Sequence, residues 1–206
     1  VSHATTAMPR ELPPALLRDT EAILARYEHE PEHTRHVALL ALMLYDGLTA
    51  WHGLGNRERT WLHVASLLHD TGWSQTADGS GHHKWSARII REFPWQSLAP
   101  EEVAAVAQVA RYHRKALPCP QHGGYVELPP EHRVIVSKLA ALLRVADALD
   151  RTHRQIIRSV RPELTPTALV LTVECKVPCQ REQEAVQKKA DLLRALAERD
   201  VVTAVA

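Results

Sequence analysis

The chain has 206 residues, 45% of them hydrophobic, with 25 basic and 24 acidic side chains and a net charge of +1. That length suffices for one sizeable domain or one domain with a small appendage. The charge balance gives no support to a nucleic-acid polymer or a membrane surface as a partner held by bulk charge, and no stretch approaches the ~18 apolar residues of a membrane span. Residues 1–14 lack an apolar signal core and read as a flexible lead-in. The pattern from 15 to 29 predicts a helix, with Leu16, Leu17, Ala22, Ile23 and Tyr27 on one side. Pro31 and Glu32 open a second helix over 31–50, and a third covers 57–69, ending at Thr71-Gly72.

Asp78-Gly79-Ser80-Gly81 marks a turn in the loop 73–81. Helices follow over 82–92, halted by Pro94, and over 100–115, opened by Pro100-Glu101-Glu102. The Pro- and Gly-rich segment from Leu117 to Pro130 is a long loop, of a length more often functional than accidental. A sixth helix spans 131–152. The character then changes: 168–174 is a β-branched strand, 180–199 a charged amphipathic helix and 201–205 a last short strand, with 156–161 as a further candidate. The fold class is therefore mainly α, with a helical domain over 15–155 and a small α+β subdomain over 156–206. Cys119, Cys175 and Cys179 are odd in number and form no Cys-x-x-Cys pair. No disulfide framework is expected, and a reducing, cytoplasmic compartment fits. Cys175 and Cys179, with no histidine at zinc spacing, read as ordinary residues.

Histidine is the outlier, with 13 copies. His69 and Asp70 close the apolar run that begins at Trp61. A carboxylate at the end of a buried segment is costly unless compensated, and a divalent metal would compensate it. His33 and His36 lie one turn apart on the second helix, His82-His83 open the fourth, His113 falls late in the fifth, and Asp147 sits among Leu and Ala in the sixth. Taken singly, each histidine is as much at home on the surface or hydrogen-bonded in a core, and Asp147 could pair with Arg144 or Arg151. Taken together, they place donors on several helices, as a site in a bundle interior requires.

These segments carry a resemblance. His33-Thr-Arg-His-Val37-Ala38, Leu67-Leu-His69-Asp70-Thr-Gly72 and Asp147 resemble the HD-domain metal-dependent phosphohydrolase superfamily, where the first histidine precedes a Val-Ala pair by four positions. That selects His33 over His36. Ser80-Gly-His-His-Lys-Trp-Ser-Ala87, Arg111-Tyr-His-Arg-Lys115 and Leu143-Arg-Val-Ala-Asp-Ala-Leu-Asp-Arg151 further resemble the C-terminal domain of the exopolyphosphatase / guanosine pentaphosphate phosphatase family. The likeness runs from about 15 to 206. It implies an HD-type helical bundle in which His33, His69, Asp70 and Asp147 hold one divalent ion. His82 or His83, together with His113, would hold a second, with Asp70 bridging the two and serving as the catalytic carboxylate. The spacing before Ser86-Ala87 favours His82.

Imidazole and carboxylate donors suit Mn, Fe, Co, Ni or Zn rather than Ca, with Mg also in the expected set. The chemistry implied is hydrolysis of a phosphate ester or anhydride of a small phosphorylated molecule by a metal-activated hydroxide. Lys84, Arg114 and Lys115, beside the implied ligands, are candidates to bind substrate phosphate. Full-length relatives carry two actin-like ATPase-fold domains with which polyphosphate hydrolysis is associated. These residues contain neither, so an independent metal-dependent activity is expected. The alternatives are a non-catalytic module that binds a phosphorylated ligand or dimerises, and a cyclic-nucleotide phosphodiesterase, whose Gly-Tyr-Pro loop signature in one HD subgroup is missing here. A homodimer is the expected assembly.

Overall fold

The computed structural model describes residues 11–206. The lead-in expected over 1–14 falls largely outside them, and Pro14 already opens the first helix. The described chain is mainly helical, with ten helices and a small three-stranded sheet at the C-terminal end. The helices are α1 (Pro14–Tyr27), α2 (Pro31–Gly47), α3 (Thr49–His52), α4 (Asn56–Leu68), α5 (His82–Glu92), α6 (Pro100–Arg111), α7 (Gly123–Val126), α8 (Pro130–Leu149), α9 (Gln180–Lys189) and α10 (Asp191–Ala197), with a 3-10 turn over Thr71–Gln75. The strands are β1 (Ile157–Leu164), β2 (Ala168–Cys175) and β3 (Asp200–Val205).

Several helices place a chemically distinct residue at the end of an apolar stripe. On α2, Val37, Leu40, Ala41 and Leu44 are buried at i, i+3, i+4 and i+7, and His33 continues that stripe one turn towards the N-terminus. On α8, Val136, Leu139, Ala140, Leu143 and Ala146 form the buried face, and Asp147 and Asp150 follow at its C-terminal end. Trp61, Leu62, Ala65 and Leu68 play the same part on α4, which leads directly into His69. The stripes share one core, which takes in Leu169, Leu171 and Val173 of β2 and Val186, Leu192 and Leu193 from α9 and α10.

The sheet has the order β1-β2-β3, with β1 antiparallel and β3 parallel to the central β2. Parallel neighbours need a crossover, and α9 and α10 supply it. The single helix expected over 180–199 is two. The break falls at Ala190, where the Asp191 side chain accepts the N–H of Leu192 at 2.9 Å, an alternative local bond of the kind Asp offers at helix starts. The fifth predicted helix ends earlier than expected, at Arg111, and the long loop contains the short α7. The expectation for the cysteines is overturned. Cys175 and Cys179 form a disulfide, with Cα atoms 6.4 Å apart. The end of β2 and the turn through Pro178 fold the chain back on itself, bringing together two thiols that no Cys-x-x-Cys search would pair.

Candidate metal centre

The ends of five helices converge on one spot. α2 brings His33, the end of α4 brings His69 and Asp70, the start of α5 brings His82, the residues just past α6 bring His113, and the end of α8 brings Asp147. All four histidines are buried, and Asp70 and Asp147 are partly so. The donors form two groups that could each hold a metal ion: His33, His69 and Asp147, and Asp70, His82 and His113.

Asp70 faces both groups, one oxygen to each. Its Oδ2 lies 3.8 Å from His33 Nε2 and 3.6 Å from His69 Nε2, while its Oδ1 lies 3.2 Å from His82 Nε2 and 3.4 Å from His113 Nε2. Asp147 Oδ1 lies 3.7 Å from His33 Nε2 and 3.9 Å from His69 Nε2.

The outer nitrogen of every ring is engaged. His33 Nδ1 donates to Asp150 Oδ2 at 2.8 Å, His69 Nδ1 to the Ser66 carbonyl at 2.7 Å and His113 Nδ1 to the Ala110 carbonyl at 2.7 Å, while His82 Nδ1 lies 2.8 Å from the Gly79 carbonyl oxygen and 2.9 Å from the Arg114 guanidinium. With Nδ1 carrying the hydrogen, the Nε2 atoms of His33, His69 and His113 turn a lone pair inward. The Nε2 atoms of His33 and His69 are buried with no hydrogen-bond partner. Those of His82 and His113 face each other at 3.1 Å. Orphaned buried acceptors cost about 1–3 kcal/mol each, and a cation among them removes the cost. An outward Nδ1 bond to a carboxylate or carbonyl is also the support that metal-ligating histidines need. The donor set therefore fits a divalent ion in each group.

The electrostatics agree. Burial raises Asp70, but His69, His82 and His113 outweigh it and hold the carboxyl well below its usual range. Burial likewise opposes ionisation of Asp147, and Lys189, His113 and His69 overcome it. Asp150 is lowered by its bonds to His33 and Gln155 against the effect of burial. Burial pushes His113 well below the ordinary imidazole value.

Small residues hold the ring positions. Ser86 on α5 donates to the His69 carbonyl at 2.6 Å and accepts the Gly72 N–H at 2.9 Å, tying the end of α4 to α5. A Cβ on Gly72 would lie 2.0 Å from the His82 carbonyl oxygen, so the close approach requires glycine. Gly79 and Gly81 adopt positive φ and turn the chain into α5. Trp73 stacks on His82 with ring centroids 4.7 Å apart.

Of the residues expected from the sequence, His33, His69, Asp70, His82, His113 and Asp147 meet at the centre. His83 stands outside both groups. It is pushed down to about 4 by burial and by its neighbour His82. His36 turns towards the sheet, where its Nε2 donates to the Ile157 carbonyl at 2.9 Å. Arg114 and Lys115 line a cleft of about 750 Å³ over Asp70, His82, His113 and Asp147, whereas Lys84 does not line it. Arg114 Nη1 lies 2.9 Å from His82 Nδ1 and 3.3 Å from the Gly79 carbonyl oxygen.

Sequence reasoning missed three contributors. Asp150 holds His33, as described. Lys189 on α9 reaches Asp147 Oδ2 at 3.3 Å and donates to the His113 carbonyl at 3.0 Å. His153, with a positive φ, stacks on His33 at 3.7 Å between centroids and pairs with Glu30. The partner of Asp147 is thus Lys189 rather than Arg144 or Arg151, and Arg144 pairs with Asp191 instead. Asp150 was within reach of the sequence, one turn beyond Asp147 on the same face.

No curated protein matches this chain. The family model for Ppx/GppA phosphatase, domain III, matches residues 17–194, a span from α1 into α10 that takes in every donor described above. On that match, the chain belongs to the Ppx/GppA phosphatase domain III family.

Proposed function

We propose that this protein is a metal-dependent phosphohydrolase that cleaves a phosphate ester or anhydride of a small phosphorylated molecule. The observation that carries this reading is the inward convergence of four histidine Nε2 atoms on the divided carboxylate of Asp70. His33, His69 and Asp147 would hold one divalent ion and His82 and His113 the other, with Asp70 serving both. Such ions lower the pKa of water towards neutrality and offset charge on phosphoryl oxygens.

The chain's own residues supply the rest. Asp70 and Asp147, kept ionised, hold the ligand set in its charged form. Arg114 and Lys115 border the cleft beside His82 and His113. Arg114 offers a planar fork to two phosphoryl oxygens and Lys115 a point charge. Lys189 fixes the outer oxygen of Asp147, leaving the inner one directed at His33 and His69.

Elemental analysis of the purified protein, followed by a phosphate-release screen over nucleotides, pyrophosphate and other small phosphorylated compounds with several divalent ions, tests the reading. One or two ions per chain and turnover of at least one compound are expected. Asp70→Ala should abolish turnover and lower the bound metal, and His69→Ala should empty its own group first. Full metal in both variants, or none in the parent protein, would sink the reading.

A second reading has one observation in its favour: seven Lys or Arg side chains line the cleft against four carboxylates, enough to bind a phosphorylated ligand without cleaving it. Metal bound with no turnover on any compound would select it.

A further inference from the structure

A second cavity, of about 660 Å³, adjoins the metal cleft. Arg151, Arg154 and Arg181 line it, with Thr152 and Glu182. Arg151 and Arg181 border both spaces, whereas Arg154 borders this one alone and Arg114 only the first. The two spaces are therefore neighbours that share two arginine residues.

Among the described residues, none of the three arginines has a carboxylate within ion-pairing distance or a side-chain hydrogen bond to an acceptor. Three cations against the single carboxylate of Glu182 leave the concavity net positive and draw in an anion. The one carboxylate on the wall is already engaged. Glu182 is 1% exposed, and its Oε1 accepts the Thr152 N–H at 3.2 Å and the Thr152 hydroxyl at 2.6 Å. The wall also includes the start of the ten-residue helix α9, whose opening position carries no side-chain cap. Its first N–H groups have no partner within the helix, and N–H groups so placed favour oxyanions. The Cys175–Cys179 disulfide anchors that helix start to the end of β2.

We propose that this second cavity binds a phosphate group other than the one held at the histidine and aspartate centre. Guanidinium groups bind phosphate through paired hydrogen bonds, and the choice of phosphate among oxyanions rests on the phosphohydrolase reading. The group comes either from a second phosphoryl on the substrate or from free phosphate.

The test is calorimetric titration of the full chain with inorganic phosphate and pyrophosphate, at low salt with chelator present. Chelation removes the ions of the centre, and Arg114→Gln reports binding by the cleft's own cations, since Arg114 borders only that space. One site per chain is expected, about tenfold weaker in Arg154→Gln and unchanged in Arg114→Gln. No binding by the parent protein, or binding weakened in Arg114→Gln and kept in Arg154→Gln, overturns the proposal. Neither result depends on turnover, so failure of the hydrolase reading shows in the phosphate-release screen instead. With a substrate in hand, Arg154→Gln that raises KM only for compounds with a second phosphoryl group assigns the site to substrate. An unchanged KM with weaker inhibition by phosphate assigns it to the free anion.

Discussion

Asp150 shows how much a single residue outside the donor set contributes. It lies at the end of α8, fully buried; its Oδ2 accepts from His33 Nδ1 and the Gln155 side chain, and its Oδ1 from the Gln155 N–H. Replacing it by Asn puts an amide where a carboxylate accepts, and the amide can turn an N–H towards the ring. The His33 ring then loses its fixed orientation. Metal affinity of Asp150→Asn should fall about 10- to 100-fold, the usual consequence of losing such a supporting bond, as read by competition with a chelating dye. Unchanged affinity would mean that stacking on His153 suffices to hold the ring.

The residue scale is also where the sequence was most legible. Histidines and aspartates that are costly to bury advertise themselves by their surroundings, as His69-Asp70 does after Trp61–Leu68. Lys189 gives no such signal. It sits on a charged amphipathic helix where a lysine is unremarkable, and only the tertiary fold brings it to Asp147, 42 residues away in sequence.

Between elements, the decisive contact is that of the 3-10 turn with α5. Gly72 lets the two backbones meet, and the Ser86 hydroxyl secures them. In Gly72→Ala the added carbon would also lie 2.5 Å from the Ser86 nitrogen. Backbone must give way, because no flexible side chain is there to move aside. A loss of about 2–4 kcal/mol in unfolding free energy is expected, measured by denaturant titration. The shift moves His82 away from His113, so the variant should bind fewer ions per chain than the parent under the same loading. Two ions retained at full stability would contradict this account.

Element boundaries were less legible than element types. Both the early end of α6 and the break between α9 and α10 depend on contacts from elsewhere in the molecule. Tyr112 accepts from Arg144 of α8 through its carbonyl at 3.2 Å, and Asp191 is held by the same guanidinium at 2.8 Å. Local periodicity carries no trace of a clasp between such distant segments.

For the molecule as a whole, the helical part and the C-terminal strands share one apolar core. A fragment ending at residue 155 would expose the faces of α2 and α8 that β1, α9 and α10 cover. It should show no cooperative thermal transition by circular dichroism, and a sharp one would show that the helical part folds alone.

The pH dependence of stability also belongs to the molecule as a whole. Burial lowers His36, His52 and His113, and takes His63 and His83 down to about 4. Below about pH 6.5 the unfolded chain therefore takes up protons that the folded chain refuses, and stability falls with falling pH. The depressed carboxyls of Asp70, Asp147 and Asp150 act lower down. Their contribution is present above the unfolded value of about 3.9 and is lost as pH falls through their folded values. In chelator, Tm should decline from pH 6.5 towards 4 and then more steeply, whereas a flat Tm between pH 7 and 5 would rule out this histidine contribution. No helix among the described residues is long and apolar enough to cross a membrane.

The outward bonds of the four rings have a consequence for selectivity. Each imidazole is oriented by a carbonyl or carboxylate belonging to the fold, so the spacing between donors is decided when the chain folds and not when an ion arrives. A cage of that kind cannot easily contract or swell around its guest. Preference among chemically similar cations would then be exercised by radius and preferred angles, as a die accepts only the blank cut to its dimensions.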